Sequence, residues 1–269
     1  MSEQSLFRVE DLRLSLPDLV GKSFVGLAAR IEILRGISFT IQRGKVLGIV
    51  GGSGSGKSTL ARALVRLLEP TSGRIVFDGQ DISHLDEQAL RPLRRRFQMI
   101  FQDPMSSLNP RRRVKGIIAA PLRLHGLTGI DRRVDEALDH VGLPRGFRNR
   151  YPHELSGGQR QRVGIARAIA LRPEFILADE IVSGLDVSSQ AQVLRLLEGL
   201  VAELGLTLAF ISHDLSVIRR LCDDVMVLRA GQIVEMAPSA EIFAAPRHSY
   251  TRGLLDAIPL PTLDQPGWN

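Results

Sequence analysis

A glycine-rich stretch, residues 51–59, constrains the fold of this chain more than any other part of its sequence. It reads Gly-Gly-Ser-Gly-Ser-Gly-Lys-Ser-Thr and fits the pattern G-x-x-x-x-G-K-[ST]. The apolar run at residues 46–50 predicts a buried strand before it. Leucines at helical spacing predict a helix after it, ended by Glu69-Pro70; they are Leu60, Leu64, Leu67 and Leu68. Strand, glycine loop and helix in this order predict an α/β fold with a phosphate-binding loop.

Each residue type in the loop has a role in holding phosphate. Glycines let backbone N–H groups turn toward phosphate oxygens, and the following helix adds the positive end of its dipole. Lys57 can reach the terminal phosphates, and the hydroxyl of Ser58 can ligate Mg²⁺. A chance match in a Gly/Ser-rich turn is the alternative, which the flanking strand and helix argue against. The candidate phosphate-binding residues are Gly51, Gly52, Ser53, Gly54, Ser55, Gly56, Lys57, Ser58 and Thr59.

Composition narrows the possible functions. With 269 residues, of which 44% are hydrophobic and 24% charged, the chain can form one large domain or one domain with an inserted lobe. Aromatic residues make up only 5%, which argues against a base-stacking nucleic-acid platform. Cys222 is the single cysteine, which excludes an internal disulfide, a multi-cysteine zinc site and a cysteine-bound iron–sulfur cluster. We expect it to be a packed thiol.

The chain is basic and shows no membrane-spanning or targeting pattern. A net charge of +6 and a pI near 10.2 leave three partners open: nucleic acid, an anionic membrane surface, or nucleotide phosphates. No apolar run approaches the roughly 20 residues of a membrane-spanning helix. Residues 1–4 are not a basic segment followed by an apolar core, so we expect no signal peptide and a cytoplasmic protein.

The remaining pattern predicts a β-rich start, a helical middle and a hairpin near the end. Residues 6–9 and 12–14 read as short strands, residues 31–41 as a strand pair, and residues 71–79 as a strand closed by an Asp-Gly turn. Residues 114–150 read as helical, like an inserted lobe; one apolar face holds Val134, Ala137, Leu138 and Val141. Residues 225–235 read as a hairpin and residues 252–257 as a short helix. The arginine-rich segment 81–112 is expected to be a solvated face.

Three polar segments stand at the ends of predicted strands. Asp179 and Glu180 end the apolar run 175–180, where an Asp can hold Mg²⁺ through its water shell and a Glu can polarise an attacking water. Solvated turn residues are the alternative. His213 follows the strand predicted over 206–212, a position that faces the ligand crevice in this fold, although a lone histidine is more often structural. Gln102, after another strand end, means little by itself.

Two further loops lead into helices. Leu-Ser-Gly-Gly-Gln at residues 155–159 begins a helix that runs to Arg172-Pro173, and this start can be a second phosphate seat or an ordinary cap. Residues 183–186 lead into a helix with an apolar stripe, which Gly205 ends.

The order of these motifs resembles the ATP-binding subunit of an ABC transporter. The matching parts are residues 51–59, Gln102, 155–159, 175–180, 183–186 and His213, and the Leu-Ser-Gly-Gly-Gln signature makes the resemblance specific. Residues 101–111, 188–193 and 210–217 are further similar to the oligopeptide/dipeptide/nickel uptake branch. Residues 248–255 are similar to the C-terminal extension of that branch.

The resemblance implies a fold, a reaction and partners. The fold is a P-loop ABC ATPase over residues 1–245, with an N-terminal antiparallel β region, an inserted α-helical subdomain at about 103–170 and an extension at 246–269. The reaction is ATP hydrolysis with Mg²⁺, which drives solute import of a peptide type or of nickel. The implied partners are a second ATPase subunit, identical or paralogous, two transmembrane permease subunits and an extracytoplasmic solute-binding protein. The implied location is the cytoplasmic face of the inner membrane, with no nucleic-acid partner.

The resemblance also implies residue roles in a head-to-tail dimer with two composite sites. Lys57, Ser58 and the loop backbone bind the phosphates, Glu180 is the general base, and His213 bridges toward the γ-phosphate. Gln102 senses the nucleotide and contacts the membrane subunit; the expected Mg²⁺ ligands are Ser58, Gln102 and Asp179. The opposite subunit supplies the signature loop, which contacts the nucleotide through Ser156, Gly157, Gly158 and Gln159. Asp186 of that subunit crosses the interface.

The chain departs from the family in three places. Ile181-Val182 stand where Pro-Thr is usual, but both acids remain, so we expect the chemistry to survive. The aromatic residue that stacks on adenine would lie near Leu16, and Phe24 is a weak substitute, so loose nucleotide selectivity is expected. The cysteine cluster that some relatives carry in the tail is absent from this sequence, whose one cysteine is Cys222.

Two rival functions remain open at this point. One is a soluble ABC-type ATPase acting on nucleic acid or the ribosome, which only the net charge favours. The other is an interaction protein with an inactive nucleotide site. The second is opposed by four retained residues: Lys57, Asp179, Glu180 and His213.

Overall fold

The computed structural model describes residues 5–18, 29–103 and 107–257. Its strands are β1 (Ser5–Pro17), β2 (Arg30–Gln42), β3 (Val46–Val50), β4 (Ser72–Phe77), β5 (Gln80–Asp81), β6 (Phe97–Ile100), β7 (Phe175–Asp179), β8 (Thr207–Ile211), β9 (Asp224–Arg229) and β10 (Gln232–Pro238). Its helices are α1 (Lys57–Leu64), α2 (Glu87–Leu93), α3 (Val114–Leu124), α4 (Ile130–His140), α5 (Gly157–Ile169), α6 (Val187–Leu204), α7 (Leu215–Leu221), α8 (Ser239–Ala244) and α9 (Ser249–Asp256). Short 3-10 helices cover Arg145–Asn149 and Pro152–Glu154.

The chain divides into two compact units, residues 1–84 with 210–269 and residues 85–209. No helix among the described residues is long and apolar enough to span a membrane. Phe24 lies outside the described residues, whereas Leu16 lies in β1 opposite Ile31 of β2.

The first unit contains an antiparallel sheet in the order β2-β1-β4-β5. Its inner face is apolar, and the rings of Phe7 and Phe77 lie with centroids 4.9 Å apart. The two short strands expected at 6–9 and 12–14 form one continuous strand, β1. A bulge with a left-handed Asp11 shifts the register between the two segments, which is why the sequence pattern is interrupted there. The strand pair expected over 31–41 is likewise one strand, β2, and the prediction of a pair was wrong.

The same unit carries the strand and helix that flank the glycine loop. β3 is buried at every position and pairs in parallel with β9, which forms the predicted hairpin with β10. Helix α1 ends at Leu64, earlier than the predicted stop at Glu69-Pro70. The reason is Arg66, which adopts a left-handed backbone with φ 52° and buries its guanidinium, donating from Nε to the carbonyl of Ile82 at 2.7 Å.

The second unit contains the predicted helical region. Helices α3, α4 and α5 pack on one another, and the buried face of α4 holds the predicted Val134, Ala137 and Leu138. Strand β6 pairs in parallel with β7, whose five residues are all buried. Helix α6 ends at Gly205, which has φ 61° and forms the expected left-handed cap.

The predicted packed thiol is confirmed, and it restricts β3 to glycine at one position. Burial raises the pKa of the Cys222 thiol, so the side chain behaves as a small apolar group. A Cβ added to Gly48 would lie 2.9 Å from Sγ of Cys222 and 3.0 Å from Cγ2 of Ile218. Helix α7 therefore packs on β3 at a distance that only glycine permits.

Replacing Gly48 with alanine should therefore destabilise the protein. We expect Gly48→Ala to lower the free energy of unfolding by about 1–3 kcal/mol, the usual cost of overpacking. Adding Cys222→Ala should recover part of this loss, because it removes the sulfur that meets the new methyl group. Urea denaturation measures both, with Gly199→Ala as the control, since its Cβ would meet no atom within 4 Å. A Gly48→Ala protein as stable as the wild type would contradict the close packing.

Candidate functional site

The glycine loop leaves β3 in a backbone conformation that requires glycine. Gly51, Gly54 and Gly56 have φ of 152°, 73° and 103°. A Cβ on Gly51 would lie 2.2 Å from the carbonyl oxygen of Leu228, whereas one on Gly54 would meet nothing within 4 Å. The loop is therefore fixed against β9 at its start and open at Gly54, where a ligand can approach the backbone.

Lys57 lies across the start of this loop. Its side chain is buried, and Nζ donates to the carbonyl oxygens of Gly51 at 2.8 Å and Gly52 at 2.9 Å. The far side of the loop is held by the β9–β10 turn, where the amide of Gly231 donates to the carbonyl of Ser55 at 2.9 Å. Helix α1 begins at Lys57, so the ammonium, the loop amides and the positive helix end are brought together as predicted.

In the second unit, the candidate acids stand where β6 and β7 end at one edge. The parallel register places Ile100 opposite Ala178, so Gln102 and Glu180 each follow two residues later. Nε2 of Gln102 donates to Oε2 of Glu180 at 2.8 Å. Asp179, the last residue of β7, is 5% exposed. The register thus explains why a glutamine that meant little by itself lies beside the proposed base.

Glu180 has an unusual backbone, and its neighbours hold it in place. Its φ is 48°, in the left-handed region that residues with a side chain adopt at a cost. Ile181 and Val182 follow directly and are 1% and 5% exposed. The dipeptide that replaces the usual Pro-Thr is therefore an apolar anchor inside the second unit.

The signature loop forms a complete capping box. Oγ of Ser156 accepts from the amide of Gln159 at 3.3 Å, and Oε1 of Gln159 accepts from the amide of Ser156 at 3.0 Å. Gly158 approaches the start of α6, since a Cβ there would lie 3.1 Å from Oγ of Ser189. Ser156 and Gln159 thus cap the helix, whereas Gly157 is half-buried and Gly158 is buried against α6.

Asp186 caps the neighbouring helix α6. Its carboxylate accepts from the amide of Ser189 at 2.9 Å and from the Ser189 hydroxyl at 2.7 Å. The hydroxyl bond is the main reason that the pKa of Asp186 lies below its usual value. Because Ser189 also meets Gly158, the signature loop and Asp186 are neighbours in the second unit.

His213 and Tyr250 complete the residues of interest in the first unit. His213 is exposed and follows β8 as predicted, between Ser212 and the α7 cap Asp214. Sequence reasoning missed Tyr250, whose Oη accepts from the amide of Gly52 at 2.9 Å. The sequence indicated its segment only through resemblance, because no periodic pattern links the tail to the glycine loop.

The capping box allows a test of local stability. Replacing an N-cap serine with alanine costs about 0.5–2 kcal/mol, whereas glycine costs only a few tenths. We therefore expect Ser156→Ala to lower the free energy of unfolding more than Ser156→Gly does, as measured by urea denaturation. A Ser156→Ala protein as stable as the wild type would show that the side-chain bond to Gln159 contributes nothing.

Comparisons with known proteins agree with this geometry. A family model described as ABC transporter matches residues 34–183, more than half of the chain. A second, described as oligopeptide/dipeptide transporter, C-terminal region, matches residues 234–267. The chain is 46% identical over 263 residues to the oligopeptide transport ATP-binding protein AppF of Bacillus subtilis, covering 96% of this chain and 80% of that protein. It is 52% identical over 248 residues to a Brucella ovis protein provisionally named a peptide import ATP-binding protein, covering 91% and 78%.

A solved structure shows the same fold. The cbiO1 protein of Clostridium perfringens, described as part of the ABC transporter complex cbiONQ, has a TM-score of 0.77 at 31% identity. The match covers 90% of this chain and 92% of that one. These findings confirm the expected α/β fold of a P-loop ABC ATPase. The chain belongs to the ABC transporter family, as one of its ATP-binding ATPase subunits.

Proposed function

We propose that this chain hydrolyses ATP to energise the import of peptides through an ABC transporter. Relatives named for oligopeptide transport support the peptide class, as does the match of residues 234–267 to the corresponding C-terminal region. The observation that carries the hydrolytic part is the hydrogen bond between Gln102 and Glu180, which holds a carboxylate at a strand end. A carboxylate fixed in this way suits a general base, because the base must lie within hydrogen-bond reach of the proton that it removes.

The glycine loop is the proposed phosphate site. Its open position at Gly54 and the start of α1 offer backbone amides to phosphate oxygens. When nucleotide binds, Lys57 keeps the carbonyl of Gly51 as one acceptor and exchanges that of Gly52 for anionic phosphate oxygens, which form stronger, charge-assisted hydrogen bonds. His213 is proposed to contact the γ-phosphate.

The proposed Mg²⁺ ligands all offer oxygen, which this ion prefers. They are the hydroxyl of Ser58, the carboxylate of Asp179 and the amide oxygen of Gln102, whose nitrogen is already bonded to Glu180. Bound with the nucleotide, Mg²⁺ would neutralise charge on the phosphates. Glu180 then accepts the proton of the attacking water.

We further propose that the chain works in a complex. Its ATPase partner, identical or paralogous, would place its own signature loop and Asp186 on the nucleotide, since Gly157 leaves the start of α5 without a side chain and partly exposed. A solved relative described as a dimeric ATP-binding cassette bound to ADP and Pi supports this arrangement, with a TM-score of 0.76 at 29% identity. Two permease subunits and a solute-binding protein would complete a transporter that holds this chain at the cytoplasmic membrane face.

Removing the proposed base should separate binding from hydrolysis. We expect Glu180→Gln to keep ATP affinity but to lower turnover about 10²–10⁴-fold, the usual contribution of a positioned base. Phosphate release and nucleotide binding measure the two effects, with Glu203→Gln on exposed α6 surface as the matched control. Near wild-type turnover of Glu180→Gln would refute the assignment of the base.

Turnover should also depend on the rest of the transporter. We expect slow hydrolysis by the purified chain and faster hydrolysis in a reconstituted complex given a peptide-loaded binding protein. The reason is that ATP and the loaded transporter both favour the closed state of the ATPase dimer. The measurement compares the rate with peptide, with nickel and without solute. Full, solute-independent activity of the purified chain would overturn the transporter function and favour an independent ATPase.

A further inference from the structure

One peptide group of the glycine loop is bonded on both sides. The group joins Gly51 to Gly52, and its N–H donates to Oη of Tyr250 at 2.9 Å. Its carbonyl accepts from Nζ of Lys57 at 2.8 Å. Because the N–H and C=O of a trans peptide point in opposite directions from one rigid plane, the tyrosine and the lysine fix the orientation of the same group.

This peptide group needs such support more than others do. Glycine stands on both sides of it, and φ at Gly51 is 152°, so side-chain sterics restrict its rotation little. Rotation would carry the Gly51 carbonyl away from Lys57. The bond from Tyr250 opposes that rotation.

Tyr250 is itself fixed by its surroundings in the first unit. The guanidinium of Arg229, the last residue of β9, lies 4.9 Å from the centre of its ring. Helix α9 is tied to β10 through Glu235, whose carboxylate accepts from the amides of Arg247 at 2.7 Å and His248 at 3.0 Å. Burial raises the pKa of Glu235, but hydrogen bonds from the Thr251 side chain and from these two amides outweigh it and hold the pKa below its usual value, so the anchor is charged at neutral pH.

We propose that Tyr250 is a positioning residue for nucleotide binding, acting through the peptide between Gly51 and Gly52 on Lys57. The C-terminal extension thereby becomes part of the support of the phosphate site. The proposal rests on the proposed phosphate-binding role of Lys57.

The test removes the hydroxyl and keeps the ring. Tyr250→Phe retains the contact with Arg229, and Tyr151→Phe is the matched control, since that hydroxyl accepts from Arg113 in the second unit. Displacement of a fluorescent ATP analogue from the purified full chain, with Mg²⁺, gives affinities for ATP, ADP and AMP. We expect Tyr250→Phe to bind ATP and ADP about 2- to 10-fold more weakly, the loss of one hydrogen bond. AMP affinity should not change, because Lys57 reaches only the β- and γ-phosphates.

Two further measurements distinguish positioning from a general effect on structure. In the reconstituted transporter, Tyr250→Phe should raise KM for ATP by the same factor and leave kcat unchanged. Gly52→Ala would place a Cβ 3.1 Å from the tyrosine hydroxyl, so its loss of ATP affinity should be smaller in the Tyr250→Phe background.

The outcomes separate this inference from the proposed function. Failure of the wild-type chain to bind MgATP would overturn the proposed function itself. With wild-type binding intact, unchanged or tighter ATP binding by Tyr250→Phe would overturn the inference alone. An equal loss for AMP, a fall in kcat with KM unchanged, or strictly additive effects of Gly52→Ala and Tyr250→Phe would each overturn it as well.

Discussion

The close approach of Gly51 to the carbonyl of Leu228 is the constraint on which the glycine loop depends. Parallel pairing places Val50 of β3 opposite Val227 of β9, so Leu228 lies beside the first residue of the loop. A Cβ at Gly51 would lie 2.2 Å from that carbonyl, which no real contact tolerates. The loop must therefore turn at a glycine as it leaves the sheet, and this turn brings the carbonyls of Gly51 and Gly52 under Lys57.

The position of Glu180 depends on a balance between backbone strain and the burial of the two residues that follow it. A residue with a side chain in the left-handed region costs on the order of 1–2 kcal/mol. Burying an isoleucine or a valine contributes about 1.5–3 kcal/mol each, and Ile181 and Val182 are both buried. Burial therefore exceeds the strain, and the chain can hold Glu180 in this conformation without proline at the next position. The parallel register of β6 and β7 then supplies Gln102 as its hydrogen-bond partner.

The elements that the sequence predicted well are those with local signals. The buried strand β3, the apolar face of α4 and the glycine cap of α6 follow from periodicity and from residue type. The end of α1 did not, because Arg66 leaves the helix to bond the carbonyl of Ile82, a contact between distant residues. The bulge at Asp11 likewise broke the alternation of one continuous strand and made it read as two. The partners of Glu180 and Gly52 depend on strand register and tail docking, which no local pattern contains.

Lys57 links helix α9 to the glycine loop, because Lys57 and Tyr250 bond the same peptide group. Burying an ammonium is costly unless it has acceptors, and the carbonyls of Gly51 and Gly52 provide two of them. In the proposed function, phosphate oxygens replace the Gly52 carbonyl as acceptors while the Gly51 carbonyl stays, which strengthens the bonds of Lys57 without moving the charge into a new environment. The exchange therefore requires little reorganisation if the peptide between the glycines keeps its orientation. Since Oη of Tyr250 accepts from the N–H on the other side of that peptide, helix α9 helps to fix its orientation.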